Sequence, residues 1–219
     1  MSINRIELTE CPSCHEQIPV LTWQSLNTDL DPEAKEKLLS GALFWVTCPK
    51  CQKRSYMMYP MLYHDKEHKV MIQLAREQQE VDEFMELISA FRTLPDGPSP
   101  ADLEKYQYRV VRDTRELREK AMLFHLDLDD RIIEMVKYVY SALYQEQNPE
   151  QRITRAFFES EPSYKIQMFA EDGPMVESDL PMEAYEELGK QYRAAIENRS
   201  KNYTFIDRSW AESILTLFS

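Results

Sequence analysis

The sequence is short of several residue types that much enzyme chemistry depends on. It holds four glycines, four histidines and four cysteines in 219 residues. A glycine-rich phosphate loop needs several glycines close together so that backbone N–H groups can close on the anion, and this chain cannot build one. The four histidines, His15, His64, His68 and His125, are too few and too scattered for a histidine-rich metal hydrolase. There is no nucleophile-elbow motif to support a serine triad. No apolar run approaches the roughly 20 residues of a membrane span. The opening residues, Met1-Ser-Ile-Asn-Arg, lack the apolar core of a secretory signal. The expectation is a cytoplasmic protein with reduced thiols. Positive charge is also scarce: the net charge is −12, of which about −2 falls in the first 80 residues and −10 after them. A nucleic-acid binder usually carries a basic footprint, so nucleic acid is not the expected main partner. The near-neutral N-terminal part still leaves room for a small basic patch. Hydrophobic content of 43% and charged content of 29% are ordinary for a globular chain of one or two domains.

What is present is more specific. All four cysteines fall into two like frames, Cys11-Pro12-Ser13-Cys14 and Cys48-Pro49-Lys50-Cys51. A C-x-x-C turn lets two sulfurs converge on one point. Two such turns supply the four thiolates that structural zinc takes in a tetrahedron, at about 2.3 Å per bond. The proline after each first cysteine fixes φ and rigidifies the turn. Lys50, Lys53 and Arg54 crowd the second turn, where positive charge would offset that of a four-thiolate centre. Thirty-three residues, His15 to Thr47, separate the pairs. That exceeds the roughly 15–20 of a compact zinc module, so an inserted element must fold between them. A disulfide framework fits poorly with a chain that lacks a signal peptide and can bury its own core. A thioredoxin-like pair needs its first cysteine at a helix start, whereas Pro19 closely follows Cys14. Iron in a rubredoxin-like site uses similar turns, and spacing does not separate it from zinc. The expected cofactor is one structural Zn²⁺ held by Cys11, Cys14, Cys48 and Cys51. No cysteine then remains as a nucleophile.

Around these turns the pattern predicts strands at Ile3–Leu8 and Ile18–Trp23, making a first hairpin, and at Leu43–Thr47 and Ser55–Tyr59, making a second. Asp31-Pro32-Glu33 opens the inserted helix, with Asp31 as N-cap and Gly41 closing it at C′. Residues 63–68, Tyr-His-Asp-Lys-Glu-His, read as a polar turn before a strand at Lys69–Leu74. Val81, Phe84, Met85, Ile88 and Phe91 mark a helical stripe. The clearest linker is 94–100, with three prolines and a glycine. Beyond it the pattern gives a strand at Tyr106–Val111, a helix opened by Asp113 and Glu116, and a regular helix through Ile132, Val136, Val139 and Leu143 that ends at Asn148-Pro149. Strands follow at Ile153–Phe158, Tyr164–Phe169 and Met175–Val176, with turns at 161–163 and 172–174, then one helix over Glu183–Ile196. The segment from Trp210 to Phe218 has no assignable type.

The two Cys-Pro-x-Cys frames, the Asp31-Pro32 helix ending in Leu39-Ser40-Gly41, and Leu62-Tyr63-His64-Asp65 resemble the CpXC-domain family of bacterial and archaeal proteins. The likeness is strongest over residues 6–74 and continues through Tyr108-Arg109-Val110-Val111 and Leu128-Asp129-Asp130-Arg131. His15 and Gln52 depart from it, standing where a glycine commonly follows each turn. The family has no assigned biochemical activity, so the resemblance implies a cysteine-tied fold and no chemistry.

Three other groups invite a functional reading. His64 and Asp65 could be an adjacent metal-hydrolase pair, but a solvated or capping turn accounts for them. His64 and His68 could ligate a second metal only on a helix. Asp127, Asp129 and Asp130 could bind Mg²⁺. A capping Asp129, with Asp130 and Glu134 near a helix N-terminus, explains them without an ion. Tyr56, Tyr59 and Tyr63 could stack on single-stranded nucleic acid, though core or cross-strand pairing is the simpler account. The expected architecture is α+β: zinc-ribbon-like hairpins with an inserted helix over 1–76, a helix and proline-rich linker over 77–100, and a helix-rich α+β part with a small antiparallel sheet over 101–219. The expected function is that of a cytoplasmic zinc protein acting as a binding module for another protein rather than as an enzyme. The alternative is an enzyme or nucleic-acid-processing factor that docks through the ribbon.

Overall fold

The computed structural model describes residues 2–91, 99–171, 173–200 and 204–216. Most of the expected linker, Asp172 of one turn and the end of the last segment lie outside these residues. The chain divides into two compact units, Met1–Ala121 and Met122–Ser219. The division falls within a helix, well past the expected boundaries at residues 76 and 100.

The first unit contains β1 (Ile3–Glu10), β2 (Gln17–Asn27), α1 (Pro32–Leu39), β3 (Trp45–Thr47), β4 (Arg54–Tyr56), β5 (Met61–Asp65), β6 (Val70–Leu74), α2 (Gln78–Phe91), α3 (Pro100–Leu103), β7 (Gln107–Val111) and the start of α4 (Thr114–His125). Five strands form one mixed sheet in the order β1-β2-β5-β6-β7. β1 and β2 are an antiparallel hairpin that pairs Ile6 with Leu21 and Leu8 with Pro19. β2 pairs in parallel with β5, β5 antiparallel with β6, and β6 in parallel with β7. The first hairpin is therefore one end of a larger sheet, and β7, beyond the proline-rich segment, belongs to that sheet too. β3 and β4 form a separate short hairpin.

The residues explain the layers. β6 buries Val70, Met71, Ile72 and Leu74, the near-continuous apolar run of an inner strand. β2 alternates, burying Ile18, Val20 and Thr22 while Pro19 and Leu21 face out. α2 buries Val81, Phe84 and Ile88 on one stripe, each contributing about 1.5–3 kcal/mol when fully removed from water. α1 ends as expected at Gly41, whose φ of 75° suits a residue without Cβ. Arg118 of α4 donates to the carbonyl of Leu39 at 2.7 Å, satisfying a helix-end acceptor from 79 residues away. Asp31 stands at the N-cap but makes no side-chain capping bond.

The residues read as a polar turn at 63–68 divide instead between strand and turn. Met61, Tyr63 and Asp65 of β5 point inward in strict alternation, and only the residues after Asp65 reverse the chain. A carboxylate at a core position hid the period, and the reason it can stay there is a partner described below.

The second unit holds the rest of α4, then α5 (Asp130–Gln147), β8 (Ile153–Glu159), β9 (Lys165–Ala170), β10 (Met175–Asp179), α6 (Met182–Gln191), α7 (Arg193–Ser200) and α8 (Arg208–Leu215). The three strands form an antiparallel sheet in the order β10-β9-β8. Leu123, Ile133, Val136, Ile153, Phe158 and Ile166 make one core. Met135, Tyr192, Ile196, Trp210 and Ile214 make a second. The helix expected as one piece over 183–196 is interrupted at Tyr192, which lets Tyr192 and Ile196 join that second core. The untyped C-terminal segment is α8, opened by Asp207, which accepts from the Trp210 amide at 2.9 Å.

Asp129 caps α5. Its carboxylate accepts from the Arg131 amide at 2.9 Å and from the Arg131 guanidinium at 2.8 and 2.6 Å. The capping account of this acidic group thus has direct geometric support. Asp129→Ala is expected to lower stability by about 1–2 kcal/mol in urea denaturation, and Asp129→Asn to recover part of that loss. Added Mg²⁺ is expected to shift neither curve.

Candidate metal centre

Each Cys-Pro-x-Cys frame sits at the tip of a hairpin. Cys11 and Cys14 lie between β1 and β2, and Cys48 and Cys51 between β3 and β4. The two tips are built alike. The Cys11 amide donates to Glu16 O at 2.8 Å and the His15 amide to Cys11 O at 2.9 Å; the Cys48 amide donates to Lys53 O at 3.0 Å and the Gln52 amide to Cys48 O at 2.9 Å. Both turns close through a left-handed residue, His15 at φ 58° and Gln52 at φ 60°. That is the conformation a glycine would take at no cost, and for other residues it costs about 1–2 kcal/mol. Histidine and glutamine here thus adopt the conformation that glycine favours. Each is tied down: Gln52 Nε2 donates to Pro49 O at 2.9 Å, and His15 Nδ1 lies 2.6 Å from Glu10 Oε1.

The sulfurs converge. Cys11 Sγ lies 3.7 Å from Cys51 Sγ, and Cys14 Sγ lies 3.7 Å from Cys48 Sγ. All four Sγ atoms fall within 4.8 Å of one another. A disulfide would need about 2.05 Å, and the cysteines are free. A tetrahedron with bonds of about 2.3 Å has edges of roughly 3.8 Å, so the set fits one metal ion. Cys11 and Cys48 are buried, while Cys14 and Cys51 are partly covered. Ile18, Val20, Val46 and Met57 pack around the four sulfurs.

Electrostatics point the same way. The Ser13 amide is the main influence that brings the Cys11 thiol down to about 6. Cys14 is pushed up to about 12: burial and the neighbouring sulfurs outweigh a hydrogen bond from the Glu16 amide. Four thiolates so close cannot all ionise without a cation among them. Of the three cations expected to serve the site, Lys50 reaches across to Glu16 of the first tip and so links the two hairpins. Arg54 instead lies over the Trp45 ring, 4.8 Å from its centroid.

The other candidates fall elsewhere. His64 Nε2 is 3.1 Å from Tyr106 Oη, and burial is the main cause that lowers its pKa. Asp65 is 1% exposed and forms an ion pair with Lys35 Nζ of α1 at 2.8 Å. It also accepts from Tyr63 Oη at 3.1 Å and from the His68 amide at 3.2 Å. Asp65, Glu67 and His68 offer ligand atoms within 4.8 Å of one another, but the Lys35 ammonium already holds the Asp65 carboxylate. His64 and His68 do not share a helix. Sequence reasoning missed Lys35, whose only signal was a charged residue on the stripe that also carries Leu38 and Leu39. Of the three tyrosines, Tyr63 is fully buried and Tyr59 packs 5.2 Å from Phe44. Tyr56 is exposed and makes an edge contact with its cross-strand partner Trp45. A groove of about 690 Å³ lies beside the sheet, lined in part by Arg5, Thr22, Tyr59, Glu80 and Phe84.

The profile of the CpXC protein family matches residues 9–137, which include both hairpin tips and β2, β5, β6 and β7 of the five-stranded sheet but only the last two residues of β1. The chain belongs to the CpXC family. No curated protein and no solved structure matches it. In this CpXC protein the four cysteines of the two frames thus form one cluster able to bind metal.

The buried pair gives a test of its own. Burial would raise the Asp65 pKa, but the Lys35 ammonium and the His68 amide and ring hold it at about 2. Its contribution to stability is full above the ordinary carboxylate range and is lost as pH falls through about 2. Asp65→Asn leaves an uncompensated ammonium in the core and is expected to cost about 3–5 kcal/mol. Adding Lys35→Met to that variant should restore part of the loss in chemical denaturation.

Proposed function

We propose that this chain is a cytoplasmic zinc-ribbon protein whose four cysteines hold one structural Zn²⁺ and whose role is to bind another protein. The closed sulfur set carries the metal reading. Four thiolates fill a tetrahedron and leave no position for substrate or water, the mark of a structural rather than a catalytic site. Zinc matches a site that asks only for charge and geometry, and the reducing cytoplasm keeps the thiols ready for it. Cys11, Cys14, Cys48 and Cys51 would hold the ion. Its chemistry would be to neutralise the sulfurs and tie the hairpins, with apparent binding energies of about 10–16 kcal/mol acting as folding energy.

The binding reading rests on where the exposed apolar groups sit. Trp45, Tyr56 and Met58 are 44%, 47% and 38% exposed on and just after the second hairpin, and Ile6, Leu8 and Leu21 are 72%, 73% and 50% exposed on the first. Apolar surface concentrated on two metal-tied hairpins suits a protein partner better than a nucleic acid, given a net charge of −12. No described helix is long and apolar enough to cross a membrane.

Protein purified without added metal is expected to contain one zinc per chain by elemental analysis and to lack the visible absorption of an iron tetrathiolate. Cys48→Ser should lose the metal and most of the folding stability. Full thiol reactivity under native conditions, with little metal bound, would sink the reading. For the partner surface, Trp45→Ala with Tyr56→Ala is expected to keep the zinc and abolish recovery of specific proteins in pulldowns at native expression. Equal recovery by the variant would count against this face.

A further inference from the structure

We propose that two copies of this chain pair through the outer edge of β1, antiparallel and centred on Ile6, joining their five-stranded sheets into one. The proposal deepens the binding-module reading by naming one partner, a second copy.

Among the described residues β1 is the end strand of its sheet, hydrogen-bonded along one side only, to β2. It is eight residues long, and a long open edge is a template for another strand. Natural proteins blunt such edges with charge or proline. Here the strand, Ile3-Asn-Arg-Ile-Glu-Leu-Thr-Glu10, holds no proline, and its apolar residues face solvent. Ile6 and Leu8 lie on the same face as Leu21, the partner of Ile6 in the hairpin.

The charges decide the register. Arg5 and Glu7 share the opposite face, two residues apart, and already form an ion pair along the strand. In an antiparallel pair centred on Ile6, Ile6 faces Ile6 of the second copy, and Arg5 of each copy faces Glu7 of the other. Asn4 then faces Leu8. Centring one residue earlier sets Arg5 against Arg5, and one later sets Glu7 against Glu7, both like-charge pairs directly opposite each other and destabilising. Only one of the three registers brings opposite charges together twice, and it also places the most exposed isoleucine on the two-fold axis, as an isologous contact requires. The self-complementary order Arg-Ile-Glu is what names a second copy as the occupant.

The test uses the full metal-loaded chain. Sedimentation equilibrium and light scattering are expected to give twice the chain mass at micromolar concentration. Arg5→Glu alone and Glu7→Arg alone should each weaken the dimer tenfold or more, and the double exchange should restore it. Ile6→Lys should give a monomer. All of these should keep the wild-type zinc content and a cooperative melt, lowered only by the lost dimer stabilisation, because the side chains are exposed. Hydrogen exchange in the wild type, which needs no variant, should show β1 amides slowing as concentration rises. A monomeric wild type overturns the proposal. So does a dimer indifferent to Ile6→Lys, or a double exchange that fails to restore what the single changes break. None of these results would touch the Trp45 and Tyr56 face, so the wider binding reading is judged separately.

Discussion

The first unit depends on four sulfurs meeting at one point. Two turns separated by thirty-three residues must arrive within bonding distance of the same centre. Nothing in the turns themselves brings this about. Each fixes only its own pair, through amides that close on Cys11 and Cys48 and a left-handed residue that turns the chain away. Convergence needs the hairpins aligned, and at that end the exposed Lys50–Glu16 pair is one tie between them besides the sulfurs and their apolar shell. The apolar shell of Ile18, Val20, Val46 and Met57 is small, and four clustered thiolates without a cation would repel one another. A shared ion would convert that repulsion into an attraction joining the hairpins.

The consequence runs into the sheet. β2 is eleven residues long, and its far end pairs with β5. The sulfur cluster at one end of β2 therefore fixes the second hairpin to a strand whose other end is part of the main sheet. Independent ties support the insertion between the tips. Arg118 caps α1 from α4 and Lys35 of α1 pairs with Asp65 of β5, while beyond the second tip Tyr56 of β4 reaches Thr114. The helix within the insertion is thus tied to β5 and α4, which helps so long an insertion keep the two tips in register.

Most of the local structure was legible because short-range chemistry dictates it. The two Cys-Pro-x-Cys frames, the glycine that closes α1 and the carboxylate that caps α5 all act within a few residues of themselves. What was hidden depends on partners distant in sequence. Asp65 looked like a turn residue because a carboxylate in a strand interior is tolerable only when a cation such as Lys35 is placed against it from another element. The break at Tyr192 follows from a core shared with Met135, Trp210 and Ile214, which no helical period within residues 183–196 could announce. Strand β7 could not be joined to the N-terminal sheet from sequence, because parallel pairing across a helix leaves no local turn signal. The sulfur cluster was legible for the opposite reason: a metal site declares its long-range contact through the ligands it needs.

The placement of the exposed apolar side chains follows from the same constraint. A short hairpin that carries Trp45 and Tyr56 outward would, if free, lose conformational entropy whenever it bound, and that loss would be taken from the affinity. A metal bound at its tip would tie it to the five-stranded sheet and remove much of that freedom beforehand. On the proposed function, a bound ion would contribute to binding without touching a partner, because it would rigidify the elements that do. On this reading the two proline-stiffened turns and the apolar groups on their hairpins form one device. Its binding strength should follow metal occupancy even for partners that contact neither a cysteine nor the ion.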